Sequence, residues 1–244
     1  SQLIGSFDEK GMHGTWINYA RQDSYILPFT AKHNDDNRFT NCSQPNADVK
    51  GSWKVTFGVD DGKEEYPALG KFKVDGTKVT GTFLTETGDY RFLEGCVIGD
   101  SMMLSCFDGS HAFLFKATIG GNEMKGQFWS GSHWYEEWEA VRDEDYQLAS
   151  ADTLTYLKDG YDKVDFSFPN VEGEQVSFPS KTFDGKVTVI QILGSWCPNC
   201  VDETKWLSPL YDRYQESGLE VVGLCFEKAV TQEAKIKNIK RVAS

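Results

Sequence analysis

Gly194-Ser195-Trp196-Cys197-Pro198-Asn199-Cys200-Val201-Asp202-Glu203 lies between an apolar run and a helical pattern. Before it, Lys186 to Trp196 (KVTVIQILGSW) reads as a nearly continuous apolar strand, the kind buried on both faces of a parallel sheet. After it, Pro198 to Ser217 has helical periodicity, with Trp206, Leu210 and Tyr214 four apart on one face and Gly218 as stop signal. A second strand (LEVVGLCFE, 219–227) and a second helix (TQEAKIKNIKRV, 231–242) follow. Upstream, VDFSFPNVEGEQVSF (164–178) predicts a hairpin turning near Glu172-Gly173. Strand, helix, strand, helix is a βαβ grammar.

A Cys-x-x-Cys pair can grip a metal or exchange electrons. Structural zinc uses four ligands, as a rule in two close pairs. No second pair accompanies Cys197 and Cys200, so no metal is expected. At a strand-to-helix junction the pair carries the redox reading instead. Free N–H groups and the dipole of the helix N-terminus favour a thiolate at Cys197; comparable sites lower a cysteine pKa from about 8.5 to roughly 3.5–7.5. Pro198 suits the first helical turn, where its missing N–H has no partner to lose. Cys200 lies one turn further in and is expected to be more buried. Cys197 is thus the expected attacking sulfur and Cys200 the resolving one. No cofactor is expected beyond this disulfide.

With strand, Trp-Cys-x-x-Cys, helix and strand in place, the segment from Asp165 to Ser244 resembles thioredoxin. In detail it resembles the TlpA/ResA-like, AhpC/TSA-related branch of thiol–disulfide oxidoreductases. The likeness rests on the hairpin FSFPNVEGEQVSF, the lead-in FDGKVTVIQILGSWCPNC and the acid Glu203. Thioredoxin's buried aspartate has Gln191 in its place, which cannot ionise. The resemblance implies that Glu203 is the acid near the dithiol, and i, i+3 spacing sets it beside Cys200. It also implies tuning of the redox potential by Pro198 and Asn199, while the place of Trp196 just before Cys197 suggests an apolar lip beside the reactive sulfur, with plain core packing as the alternative. Expected partners are protein thiols and disulfides and an unidentified electron donor. An extracytoplasmic location, periplasmic or in the cell envelope, with an upstream membrane or lipid anchor, is implied by the family alone. One departure stands out. The last proline is Pro209, so the cis-proline loop that the family sets opposite the motif is not in these residues. The thioredoxin-like domain is therefore expected to be incomplete, and the fragment inactive for that reason. A thiol peroxidase of the peroxiredoxin type is the rival enzyme reading, weakened by Gly194 at that family's Thr/Ser position.

Residues 1–145 have a different grammar. Ten short segments rich in aromatic and β-branched residues, from HGTWINYA (13–20) and DSYILPFT (23–30) to HWYEEWEAV (133–141), recur at about ten-residue spacing between turn formers. They predict an antiparallel barrel or sandwich. Residues 146–164 read as a linker with a short helix over Asp152–Lys158, and 165–244 as the thioredoxin-like domain. If Ile98 pairs with Ser101, Cys96 faces Met103 and Cys106 faces Leu93. The two cysteines then lie on opposite sheet faces. Both are expected to be buried small hydrophobes, as is Cys225, whereas Cys42 is either a free thiol or paired. Trp129, Trp134, Tyr135 and Trp138 predict either a ligand pocket or, with more weight, ordinary sheet packing. A ligand-binding barrel with an idle Cys-x-x-Cys is the third functional reading.

The chain of 244 residues carries a net charge of −12, with 39% hydrophobic and 14% aromatic residues. The apolar content supports a packed core. An acidic surface without a basic stripe argues against nucleic acid and anionic membrane surfaces as partners. Acidic pairs such as Asp35-Asp36 read as solvated loops. No apolar run approaches the ~18 residues of a membrane span. The opening SQLIGSFDEKG has neither a basic start nor an apolar core and is not itself a signal peptide.

Overall fold

In the computed structural model the described residues are 1–18, 25–35, 37–43, 48–60 and 62–243. Asp36, the far ends of the expected strands 13–20 and 23–30, and part of the loop after Cys42 lie outside them. The chain divides into two compact units, Ser1–Leu154 and Thr155–Ser244.

The first unit contains β1 (Gln2–Asp8), β2 (Gly11–Ile17) and β3 (Ile26–Lys32), which form a three-stranded antiparallel sheet. Then come β4 (Gly51–Phe57), β5 (Tyr66–Asp75), β6 (Lys78–Thr85), the two-residue β7 (Gly88–Asp89) and β8 (Leu93–Ile98). β9 (Ser101–Phe107), β10 (Ala112–Gly120), β11 (Glu123–Ser130) and β12 (Trp134–Arg142) complete the set. β4 pairs with both β5 and β12, and β5 also pairs with β6, so the sheet closes on itself. Of the expected alternatives, barrel and sandwich, the structure is a barrel. The segments of expected strand all appear; β1 and β7 are additions.

Period-two alternation turns one side of each strand inward. Trp53, Val55 and Phe57 of β4, Met102 and Leu104 of β9, and Trp138 and Ala140 of β12 are buried in one core with Phe72, Phe83, Phe115 and Phe128. A barrel of this size is just wide enough to be filled by side chains, and aromatic rings fill it. Phe83 alone has Phe57, Phe72, Phe115 and Trp138 within 6 Å, centroid to centroid. Gly126 lies opposite Trp138, and a Cβ there would come within 2.2 Å of the indole. The four aromatics weighed as a pocket are divided between faces. Trp138 is in the core, whereas Trp134 and Tyr135 are exposed and Trp129 packs beside Tyr135 at 5.4 Å.

The pairing Cys96↔Met103 and Ile98↔Ser101 is as expected. Cys106 points into the core as a free thiol. Cys96 corrects the expectation of a small buried hydrophobe, because it is bonded to Cys42 across 54 residues. Its neighbours Leu93 and Val97 belong to the core, so Cys96 faces out of the barrel. The segment around Cys42 covers it there, with Ser43 N–H donating to Val97 O at 3.2 Å and Arg38 lying 3.7 Å from Glu94. A cross-link closing a loop of that length contributes on the order of 2–4 kcal/mol.

A carboxylate is buried within the barrel wall. Glu136 is 1% exposed, and its Oε1 accepts from Tyr66 OH at 2.5 Å; Tyr66 OH lies 2.7 Å from Tyr90 OH. Burial pushes both phenols up, Tyr66 far above its usual range and Tyr90 from 10.0 to about 12. Folding thus favours the neutral phenols. Their contribution is fully present below the unfolded value near 10 and is lost as pH rises through the folded one. Raising the pH from 10 to 12 is expected to unfold the barrel, with phenolate absorbance growing in step with loss of the tryptophan signal. Exposed tyrosines ionise at about pH 10 in any protein, so the contradicting result is phenolate absorbance in that range that is lost in Tyr66→Phe and in Tyr90→Phe while the barrel stays intact.

Helix α1 (Ala151–Leu154) ends four residues short of its expected end at Lys158. The second unit opens with the hairpin β13 (Phe166–Pro169) and β14 (Gln175–Phe178). Its turn is held by Asn170 Oδ1, which accepts from Glu172 and Glu174 N–H at 3.0 and 2.8 Å. β15 (Val187–Leu193) and β16 (Leu219–Cys225) pair in parallel, with α2 (Pro198–Tyr214) between them in sequence and α3 (Gln232–Val242) after. Gly218, at φ 95°, lets the chain turn out of α2 as only glycine readily does. Two expectations are corrected here. Val187 and Ile192 are exposed, so β15 is not buried on both faces. In a two-stranded parallel pair, each strand has an edge with no neighbour among the described residues. On α2 the inward residue is Leu207, one position off the expected stripe, and Trp206 and Tyr214 are exposed.

Candidate active site

Cys197 caps α2. Its backbone is extended, its Sγ accepts from Cys200 N–H at 3.3 Å, and Pro198 occupies the first helical position. Cys197 and Cys200 are joined in a disulfide with a Cα–Cα distance of 5.3 Å. Both are half-buried.

Gln191, 6% exposed on β15, organises the inner side of the motif. Its Nε2 donates to Cys200 O at 3.2 Å and to Glu203 Oε2 at 2.9 Å. Its Oε1 accepts from Thr204 Oγ1 at 3.1 Å, a hydroxyl that also lies 2.8 Å from Cys200 O. Glu203 is otherwise exposed. A neutral amide at position 191 can do what an ionised aspartate cannot: it donates, tying the carboxylate of Glu203 to the peptide of Cys200. Sequence reading singled out Gln191 for the charge it lacks and missed this donor role. Thr204 gave no signal beyond standing four residues after Cys200, where a helical hydroxyl can reach back to a carbonyl.

The outer side is held by the loop after β16. Phe226 N–H donates to Leu193 O at 2.7 Å, and Trp196 Nε1 donates to Phe226 O at 2.9 Å. Glu227 receives both Ser195 N–H (2.7 Å) and Ser195 Oγ–H (2.6 Å). The Lys228 ammonium sits 3.5 Å over the Trp196 ring. The indole lies against Gly194, where a Cβ would come within 2.3 Å of it. Trp196 therefore packs beside the motif with a hydrogen bond and a cation on its face, more than an apolar lip. Cys225, expected to be buried, is half-buried and free; burial and the nearby Glu227 push its thiol up.

Residues 160–242 match the AhpC/TSA family. Thiol-disulfide oxidoreductase ResA of Bacillus thuringiensis subsp. konkukian is 31% identical over 65 residues, 27% of this chain and 36% of that protein. The protein of the same name from a strain of Bacillus cereus is 28% identical over 79 residues, 32% and 43% of the two chains. The one from Bacillus anthracis is 29% identical over 65 residues, 27% and 36%. The chain thus spans less than half the length of these curated relatives. No solved structure matches it. Residues 160–242, with the dithiol motif at the mouth of α2, thus match the AhpC/TSA family and are similar to ResA-type thioredoxin-like proteins, in a chain that also carries an antiparallel β-barrel.

Proposed function

We propose that the second unit is the dithiol half of a thiol–disulfide oxidoreductase that reduces protein disulfides. The Cys197 thiolate attacks a substrate disulfide, forming a mixed disulfide and expelling one substrate thiolate. Cys200 gives its proton to Glu203 and attacks Cys197 Sγ. This releases the second substrate thiolate and leaves the Cys197–Cys200 disulfide, so two electrons pass to the substrate. A protein dithiol, not identified by this chain, returns them. The observation that carries the reading is the pairing of Cys197 with Cys200 at a helix N-terminus, with Gln191 joining Cys200 to the carboxylate of Glu203. An extracytoplasmic setting is part of the proposal. The Cys42–Cys96 bond in the barrel supports it, since disulfides of that kind persist in oxidising compartments. An upstream anchor belongs to it on family likeness alone.

The test is equilibration of the chain in graded dithiothreitol buffers, scored by alkylation of Cys197 and Cys200. A single two-electron transition is expected. Thiols that never reclose across the series would overturn the proposal. Glu203→Gln can keep a hydrogen bond to Gln191 but loses the base. It is expected to slow resolution by about 10- to 100-fold, so that mixed disulfide accumulates, while initial attack changes by less than about twofold. Stopped-flow mixing with a small disulfide, quenched by acid, separates the two steps.

A further inference from the structure

The parallel ladder of β15 and β16 ends at Leu193↔Cys225, just ahead of the turn that carries Trp196 and Cys197. Beyond that end Ser195 N–H has left the regular ladder, and a buried N–H without an acceptor is costly. The Glu227 carboxylate supplies the acceptor and takes the Ser195 hydroxyl as well, at 2.7 and 2.6 Å. Both are charge-assisted bonds, roughly twice as strong as neutral ones. With Phe226 O on the Trp196 indole and Lys228 over its ring, three consecutive residues grip the turn that presents the reactive cysteine. The mechanism above uses none of the three.

We infer that Glu227 is a positioning residue for the dithiol: its carboxylate fixes the 194–196 turn, and its fixed charge restrains ionisation of Cys197. This rests on the oxidoreductase reading. The charged or titratable groups near Glu227 include Cys225 and Lys228 on the same strand and loop and Lys235 of α3, which lines a cleft with Glu227, while Glu203 of α2 lies on the inner side against Gln191. Lys228 partly offsets the carboxylate. Glu227→Gln can still accept from Ser195 N–H and donate to its Oγ, but carries no charge. Glu227→Ala removes both bonds, and Ser195→Ala removes one.

The experiment measures two quantities on the full chain and these variants: the equilibrium with dithiothreitol, and the pH profile of alkylation at the reduced Cys197 peptide. Loosening the turn lowers the chance that the two sulfurs meet. Glu227→Ala is expected to shift the equilibrium toward dithiol by about tenfold, which is about 30 mV for a two-electron couple. Ser195→Ala is expected to shift it about threefold, and remains informative should Glu227→Ala fail to fold. Glu227→Gln restores most of the equilibrium, yet both Glu227 variants move the alkylation profile to lower pH. A purely structural carboxylate would leave that profile where it is. Equilibria and profiles within twofold of wild type in every variant overturn the inference while leaving the oxidoreductase reading intact. A wild-type Cys197 that alkylates like free cysteine overturns both.

Discussion

Cys197→Ser is expected to cut the rate of exchange with a small disulfide such as oxidised glutathione by at least about 100-fold at pH 7. Cys200→Ser is expected to keep the first step and stop at one bound glutathione. The asymmetry follows from the helix. A cysteine with the ordinary pKa of about 8.5 is only about 3% thiolate at pH 7, whereas one near 7 is about half ionised. The cap position of Cys197, with its Sγ already accepting from Cys200 N–H, is where a negative sulfur gains most. The remaining free thiols are the weaker nucleophiles. Burial pushes Cys106 and Cys225 up, and Asp108 and Glu227 add to the effect at each. Mass spectrometry of the trapped adducts checks the assignment. An adduct carried by Cys200 in the Cys197→Ser protein, formed at the wild-type rate, would reverse the roles of the two sulfurs.

Phe83→Ala is expected to destabilise the barrel by about 3–5 kcal/mol. Domains of this kind are held by only about 5–15 kcal/mol, so the substitution removes a large share of the total. Phe83 is fully buried and sits at the centre of the ring cluster, touching rings from β4, β5, β10 and β12. Close-packed rings cannot collapse into the hole its removal leaves. Lys73, on the outside of β5, serves as the contrast: Lys73→Ala is expected to change stability by less than about 0.5 kcal/mol. Urea titration followed by tryptophan fluorescence reads both, since Trp53 and Trp138 lie in the core. Equal midpoints for the two variants would show that the barrel interior is not the packed core described here.

Much of the dithiol centre is legible because its signals are local. Cys197, Pro198 and Cys200 occupy a single helical turn, and strand, cap and stop signals flank them in the chain. The partners that hold the turn are not legible. Gln191 reaches Cys200, Glu203 and Thr204 only because α2 packs back on β15, and Glu227 reaches Ser195 only through the parallel register of β15 and β16, with the whole of α2 between them in the chain. On α2, the apolar spacing of Trp206, Leu210 and Tyr214 competes with that of Leu207, and helical periodicity alone does not say which stripe meets the sheet.

The same division runs through the whole chain. Alternating side chains and turn residues determine, from the amino acids alone, where the barrel strands lie and that Cys96 and Cys106 face opposite ways. A hairpin register depends only on neighbours a few residues apart. Only the tertiary structure decides that β4 closes onto β12, placing Phe57 beside Trp138, and that Cys42 finds Cys96 across 54 residues. Such contacts depend on strand twist and on the entropy of closing long loops, which no local pattern encodes.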